Sequence, residues 1–167
     1  MPLEIERKFL IKGDFCPFIT HTIHITQGYL SSVPERTVRI RICDNNAWIT
    51  IKGKNNQSGI SRYEWEKEIS VEEAKELMLL CEPGIIEKKR HLIPNSSLIF
   101  EVDEFLGDNS GLIIAEIELP SEEFSFEKPS WLGQEVTGDP RFYNSFLTKN
   151  PYTKWENTDS IYPFHEK

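Results

Sequence analysis

Cysteine, positive charge and long apolar runs are all scarce in this sequence of 167 residues, and each shortage removes a class of protein. The three cysteines, Cys16, Cys43 and Cys81, are odd in number and scattered, which argues against a disulfide framework and a thiolate zinc site. No stretch approaches the roughly 20 apolar residues that a bilayer-spanning helix needs. Met1-Pro2-Leu3-Glu4 has neither the basic n-region nor the apolar h-region of a secretory signal, so a cytoplasmic location is expected. A net charge of −8 disfavours nonspecific binding to nucleic acid or to an anionic membrane, and neither is expected as a partner. It leaves an anionic ligand open, because local arrangement can oppose net charge. His21, His24, His91 and His165 lack metal-ligand spacing and read as surface or packing residues. Trp48, Trp65, Trp131 and Trp155 read as packing residues, with a contact from one of them to a nucleobase left open. No P-loop, dinucleotide fingerprint or Ser/His/Asp signature is present.

What is present is a ladder of strands. With 38% hydrophobic and 28% charged residues, the chain reads as one globular domain over 1–167. Alternation predicts strands at 3–11, 22–31, 36–43, 47–53, 62–69, 85–93, 98–105 and 112–119. Turn signals separate them: Asp44-Asn45-Asn46, the Asn-rich loop Asn55 to Gly59, Pro83-Gly84, Pro94-Asn95 and Gly107-Asp108-Asn109. A helix is predicted over 71–81, with Ser70 and Glu73 as a capping box and Val71, Ala74, Leu77, Met78 and Cys81 at helical spacing. A helical tail is predicted from about 128 to 149, its last helix starting at Asp139-Pro140 and docking through Phe142, Phe146 and Leu147. The tail 151–167 shows no periodicity. Eight hairpin-linked strands predict an α+β fold, a closed eight-stranded antiparallel barrel with helices packed outside.

Side chains alternate faces along a strand. Glu4, Glu6 and Lys8 therefore share one face of the first strand. Arg39 and Arg41 share a face of the third, Lys52 stands on the fourth, and Glu64 and Glu66 share the fifth. Lys88 with Arg90, Glu101 with Asp103, and Glu116 with Glu118 complete the series. An ordinary barrel would turn these faces to water, and patterning alone leaves both orientations open. Two features favour an inward charged lumen. The signs largely segregate by strand, whereas surface strands more often mix them for cross-strand pairing. Arginine also supplies the third-strand pair, which suits bidentate phosphate recognition. A polyphosphate needs cations around it. Arg and Lys supply fixed ones, and Mg²⁺ or Mn²⁺ held by paired carboxylates supplies the rest.

Glu4-Ile5-Glu6-Arg7-Lys8 is an E-x-E-x-K motif. It is followed by Gln27-Gly28-Tyr29-Leu30, Val38-Arg39-Ile40-Arg41, Thr50-Ile51-Lys52-Gly53, Glu101-Val102-Asp103-Glu104-Phe105 and Ala115-Glu116-Ile117-Glu118-Leu119-Pro120. With these, and with the segment Trp131 to Asp139, the chain resembles the CYTH superfamily of triphosphate tunnel metalloenzymes, its short bacterial members above all. The resemblance implies an eight-stranded tunnel and divalent-metal-dependent hydrolysis of a triphosphate group. It implies Glu4, Glu6 and Glu116 as metal ligands, with Glu118 assisting the metal or water. Lys8, Arg39, Arg41, Lys52, Lys88 and Arg90 would line the triphosphate path. Glu64 and Glu66 match the family's acidic strand, Asp103 is a closer match than Glu101, and these three are expected as further metal ligands. Tyr29 is read either as facing the tunnel, where it would join Glu116, Glu118 and Lys8 as a catalytic residue, or as a packed aromatic. Inorganic tripolyphosphate is the expected substrate. Thiamine triphosphatase, class IV-type adenylate cyclase and a non-hydrolytic polyphosphate- or nucleotide-binding module are the alternatives, and the resemblance permits a homodimer.

Overall fold

The computed structural model describes residues 2–155. Nine strands run in chain order: β1 Leu3–Ile11, β2 His21–Ser31, β3 Arg36–Cys43, β4 Asn46–Gly53, β5 Ser61–Ile69, β6 Ile86–Asn95, β7 Leu98–Phe105, β8 Ile113–Glu118 and β9 Leu132–Glu135. Helix α1 spans Val71–Met78 and α2 spans Asn144–Leu147. The sheet order is β5-β4-β3-β2-β6-β7-β8-β1, and β1 also pairs with β5. Every pairing is antiparallel, so eight strands close into a barrel. β9 adds to the outside of this ring by pairing with β1. No helix among the described residues is long and apolar enough to cross a membrane.

The barrel turns its charged faces inward because its greasy outer faces are covered. On one side, Leu30, Ile40, Ile42, Ala47, Ile49 and Ile69 pack against Val71, Ala74, Leu77 and Met78 of α1. The predicted capping box holds that helix in place: Ser70 accepts from the Glu73 N–H and the Glu73 carboxylate accepts from the Ser70 N–H. A cap of this kind contributes about 1 kcal/mol. The helix is one turn shorter than its periodicity suggests, and residues 79–81 continue it only as turns. On the other side, Phe9, Phe100, Val102, Ala115 and Ile117 are sealed by Phe15, Phe124, Phe126, Trp131 and Leu132. Each large side chain buried in these coats contributes roughly 1.5–3 kcal/mol relative to exposure, which helps offset the cost of a charged interior.

A third apolar cluster lies inside the barrel. Leu10, Ile86, Phe105 and Ile114 occupy the same strand faces as Lys8, Lys88, Asp103 and Glu116, and they pack with Leu112, Val136, Phe142 and Leu147. Together they form an apolar plug under the charged chamber.

The C-terminal region departs from the sequence reading. The segment expected to be helical from about 128 contains β9 instead. Asp139 does act as a cap, accepting from the Arg141 N–H with Pro140 at the first position, but the resulting 3₁₀ turn Pro140–Phe142 stops at Tyr143. The Tyr143 backbone is extended (ψ 134°), and α2 is a single turn after it. The Phe142 carbonyl explains part of the break: it accepts from Lys8 Nζ at 3.4 Å instead of from a helical N–H. Phe142 and Leu147 dock as expected, whereas Phe146 is exposed. Gly59 and Gly138 cross so closely that a Cβ on Gly59 would lie 2.7 Å from Gly138 Cα, and both have positive φ (76° and 81°). Of the irregular tail 151–167, Tyr152–Lys154 forms a 3₁₀ turn. Residues 156–167 lie outside the described residues.

Candidate active site

The inward faces enclose a cavity of about 190 Å³ with an almost wholly polar wall. Glu4, Glu6, Lys8, Tyr29, Arg39, Arg41, Lys52, Glu64, Glu66, Lys88, Arg90, Glu116 and Glu118 all line it. Tyr29 is therefore both a lining residue and a buried aromatic. Asp103 does not line the cavity. It sits behind the wall, and Glu101 on the same strand face lines the chamber in its place. Thr37, Thr50, Arg62, Tyr143, Asn144 and Ser145 also line it. Arg62, Thr37 and Thr50 share strand parity with residues the sequence singles out, so alternation alone could have found them. The three from the C-terminal segment carry no such signal.

The chamber has two walls of opposite character. β3 and β6 bring Arg39, Arg41, Lys88 and Arg90 to one side. β8, β1 and β5 bring Glu116, Glu118, Glu4, Glu6, Glu64 and Glu66 to the other, with Lys8, Lys52 and Arg62 interspersed. The bases are set deep. Several acids stand at the rim, where the Glu66 and Glu101 side chains keep 42% and 40% exposure.

On the basic wall, Arg90 grips Asp103 through two hydrogen bonds, Nε to Oδ1 at 2.8 Å and a terminal nitrogen to Oδ2 at 2.9 Å. Lys88 Nζ reaches the same Oδ2 at 2.7 Å. Burial opposes ionisation of Asp103, but Arg90 and Lys88 outweigh it and hold the carboxyl well below the usual range. Burial, with Arg90 and Arg41 beside it, pushes the Lys88 ammonium down to about 7 despite Asp103. Arg41 has no carboxylate partner among the described residues. Its Nε donates to Gln27 Oε1 at 3.0 Å, and burial together with Arg39 and Arg90 lowers its pKa to about 10. Arg39 donates to Thr50 Oγ1 at 3.2 Å and lies 3.7 Å from Glu66, and its buried Nε has no hydrogen-bond partner among the described residues. Both arginines thus keep capacity for an anion.

On the acidic wall, Lys52 Nζ lies 2.9 and 3.0 Å from the two Glu4 oxygens. Burial works to raise the Glu4 carboxyl, but Lys52 and then Arg62 hold it down at about 2. Lys8 lies 3.2 Å from Glu116; burial works to raise that carboxyl, but Lys8 together with Arg90 and Lys88 outweighs it, so Glu116 is lowered too. Glu6 differs. It has no ion-pair partner among the described residues, and burial followed by Glu116 and Glu4 raises it well above the ordinary value. It also faces Glu118 across the β1–β8 ladder, while Glu101 faces Glu116 across β7–β8. Like charges directly opposite are destabilising. Burial and the carboxylates Glu4, Glu64 and Glu101 raise Glu118.

A divalent cation fits this donor set. The unpaired, raised Glu6 stands among carboxylates whose mutual repulsion a cation would relieve, and all are hard oxygen donors. Among the described residues no three potential ligands already converge as a ready-made metal cluster. Lys8 and Lys52 occupy Glu116 and Glu4 instead.

The sequence profile of the CYTH domain matches residues 2–143. The chain is 46% identical over 157 residues to an inorganic triphosphatase of Acetivibrio thermocellus, covering 93% of this chain and 99% of that protein. It is 35% identical over 150 residues to an inorganic triphosphatase of Nitrosomonas europaea, covering 86% and 95%. A crystal structure of an inorganic triphosphatase superposes with a TM-score of 0.59 at 32% identity, over 86% of this chain and 96% of the other. A closed antiparallel barrel, a chamber with one basic and one acidic wall, and a profile match over most of the length have one reading: this chain belongs to the CYTH domain family.

Proposed function

We propose that this protein is an inorganic triphosphatase, a phosphoanhydride hydrolase that cleaves tripolyphosphate to pyrophosphate and phosphate. The observation that carries the reading is a basic wall facing an acidic wall across one enclosed chamber. A polyanion binds the first. The second would hold the cations that help neutralise that polyanion. Arg39, Arg41, Lys88 and Arg90 hold phosphate oxygens, and Lys8 and Lys52 stand ready to do the same on leaving their carboxylates.

Glu4, Glu6, Glu116 and Glu118 would hold the divalent ion, magnesium or manganese, with Glu64 and Glu66 near the rim. When bound, such an ion supplies positive charge to the phosphate oxygens and acidity to nearby water. The chain's own groups do the remaining work. The arginines and lysines fix the triphosphate so that its terminal phosphorus lies in line with an attacking water, and they stabilise charge on the transferring phosphoryl group. Glu118, which has no ion-pair partner among the described residues and a raised pKa, takes the proton of that water. The water oxygen bonds to phosphorus as the bridging oxygen leaves with its electrons on pyrophosphate. Tyr29 lies opposite Arg39 across the β2–β3 ladder and lines the same chamber. Asp103, whose oxygens are taken by Arg90 and Lys88, acts as a support for the bases rather than as a metal ligand.

The test is product analysis with the full chain, given tripolyphosphate, ATP or thiamine triphosphate with Mg²⁺ or Mn²⁺. Phosphate release fastest from tripolyphosphate is expected. Cyclic AMP as the main product from ATP would replace this reading with a cyclase. Glu116→Gln should lower turnover roughly 10²–10³-fold, the usual loss for one electrostatic group in a catalytic site, while tripolyphosphate binding remains. Tight binding without turnover in the wild type would favour a binding module.

A further inference from the structure

Residues 143–145 reach the chamber from the C-terminal segment, not from a barrel strand. Asn144 makes the most side-chain hydrogen bonds of them. Its Oδ1 accepts from Gln27 Nε2 at 3.0 Å and from Lys88 Nζ at 2.7 Å. Gln27 is fully buried, and its Oε1 in turn accepts from Arg41 Nε. Chemistry fixes the sense of every bond in this chain. Arginine and lysine only donate. Gln27 must therefore present oxygen to Arg41 and its amino group to Asn144, and Asn144 must present oxygen to both Gln27 and Lys88. The Asn144 Nδ2 is left over as a donor on a residue that lines the cavity.

The tether is neutral. Lys88 already pairs with Asp103, and a second carboxylate in this place would add negative charge where the phosphate binds. An amide oxygen orients Lys88 and Gln27 without adding that charge.

We propose that Asn144 belongs to the phosphate grip: it holds Lys88 and, through Gln27, Arg41 at the chamber floor, and it donates its own Nδ2 to a phosphate oxygen there. Docking of the C-terminal segment thereby completes the site. This rests on the reading that the chamber takes a triphosphate.

The test measures tripolyphosphate affinity by calorimetry, and KM and kcat by phosphate release, for the full chain and four variants. Thermal melting of each checks folding. Asn144→Ala should weaken binding roughly ten- to hundredfold, the loss of one hydrogen bond to a charged group. Asn144→Asp is nearly isosteric and keeps an acceptor for Lys88 and Gln27, but it sets a carboxylate against the phosphate. It should bind more weakly than Asn144→Ala. Gln27→Ala should also weaken binding, and Gln27→Ala combined with Asn144→Ala should fall short of the product of the two single losses, because both act on one chain. Lys149→Ala cuts the same segment's exposed link to Glu82 and Ser32 and should leave affinity unchanged. Affinity within twofold of wild type in Asn144→Asp would overturn the proposal, as would a Lys149→Ala loss equal to that of Asn144→Ala. If Asn144→Ala fails to fold, Asn144→Asp decides alone. Wild type that binds but does not hydrolyse would sink the triphosphatase reading, yet the affinity ratios would still decide the role of Asn144. Wild type that does not bind tripolyphosphate would sink both.

Discussion

Replacing Asp103 with Asn tests whether that carboxylate supports the basic wall. The side chain keeps its size, but its charge goes. Lys88 then loses its carboxylate, and Arg90 keeps only Glu101 and Glu116, at 3.3 and 3.5 Å, in a place where Asp103 and Lys88 are each only 1% exposed and Arg90 9%. Breaking a buried pair by removing one partner costs roughly 3–5 kcal/mol. At about 2–4 °C per kcal/mol for a chain of this size, the melting temperature should fall by roughly 6–20 °C. An anion in the chamber can take over part of the lost role. A ligand at a hundred times its Kd stabilises by about 2.7 kcal/mol, and tripolyphosphate should bind the variant's unbalanced cations at least as favourably. The variant should therefore regain several degrees on its addition. The sign with pH follows. The folded Asp103 carboxyl is depressed, so its contribution is complete above the unfolded value of about 4 and is lost as pH falls through the folded one. The acid limb of the stability profile should flatten in Asp103→Asn. Differential scanning calorimetry from pH 3 to 8, with and without tripolyphosphate, measures all of this. A melting temperature within 2 °C of wild type would refute the reasoning. Unchanged stability with weakened metal binding would restore Asp103 as a ligand.

Two further outcomes follow from the perturbed groups. Glu6 is raised by burial, Glu116 and Glu4, so a cation must displace its proton at pH values where an ordinary glutamate is already ionised. Mg²⁺ or Mn²⁺ affinity should fall on acidification through a range above 4.5, and a flat calorimetric titration between pH 5 and 8 would contradict it. Lys88, pushed down to about 7, is mostly neutral in the empty chamber at pH 8 and should take up a proton when a polyanion arrives. Its unfolded form titrates near 10.4, so the unfolded chain binds more protons between about 7 and 10.4, and this group makes stability rise with pH across that window. Binding heats measured at pH 8 in two buffers of different ionisation enthalpy should reveal the uptake. Lys88→Met should abolish it, and equal heats in wild type would refute it.

Much of this architecture is legible in the sequence because alternation with period two is long and clean. Val38, Ile40 and Ile42 against Arg39 and Arg41 fix which side chains share a face of β3, though not which face turns inward. The greasy coats are legible too, through the capping box at Ser70 and the stripe it starts. What escapes is short or set by tertiary contact. β9 has four residues, Leu132-Gly133-Gln134-Glu135, too few for a period, and its pairing with β1 decides its form. The Asp139-Pro140 start is a true cap, yet no local signal announces that Lys8 draws the Phe142 carbonyl and that the chain turns inward at Tyr143. The site is legible by parity down to individual side chains, but parity cannot rank them. Glu101 and Asp103 share a face, and only depth along β7 separates the rim acid from the buried one. Asn144 lies off every strand.

The plug of Leu10, Ile86, Phe105, Ile114, Phe142 and Leu147 fills one end of the barrel. Under the proposed hydrolysis, substrate would enter tip first and products would leave away from that end. A linear phosphate polymer would then present its terminus first and be shortened from its tip. Pyrophosphate lingering at the mouth would also bar the next molecule.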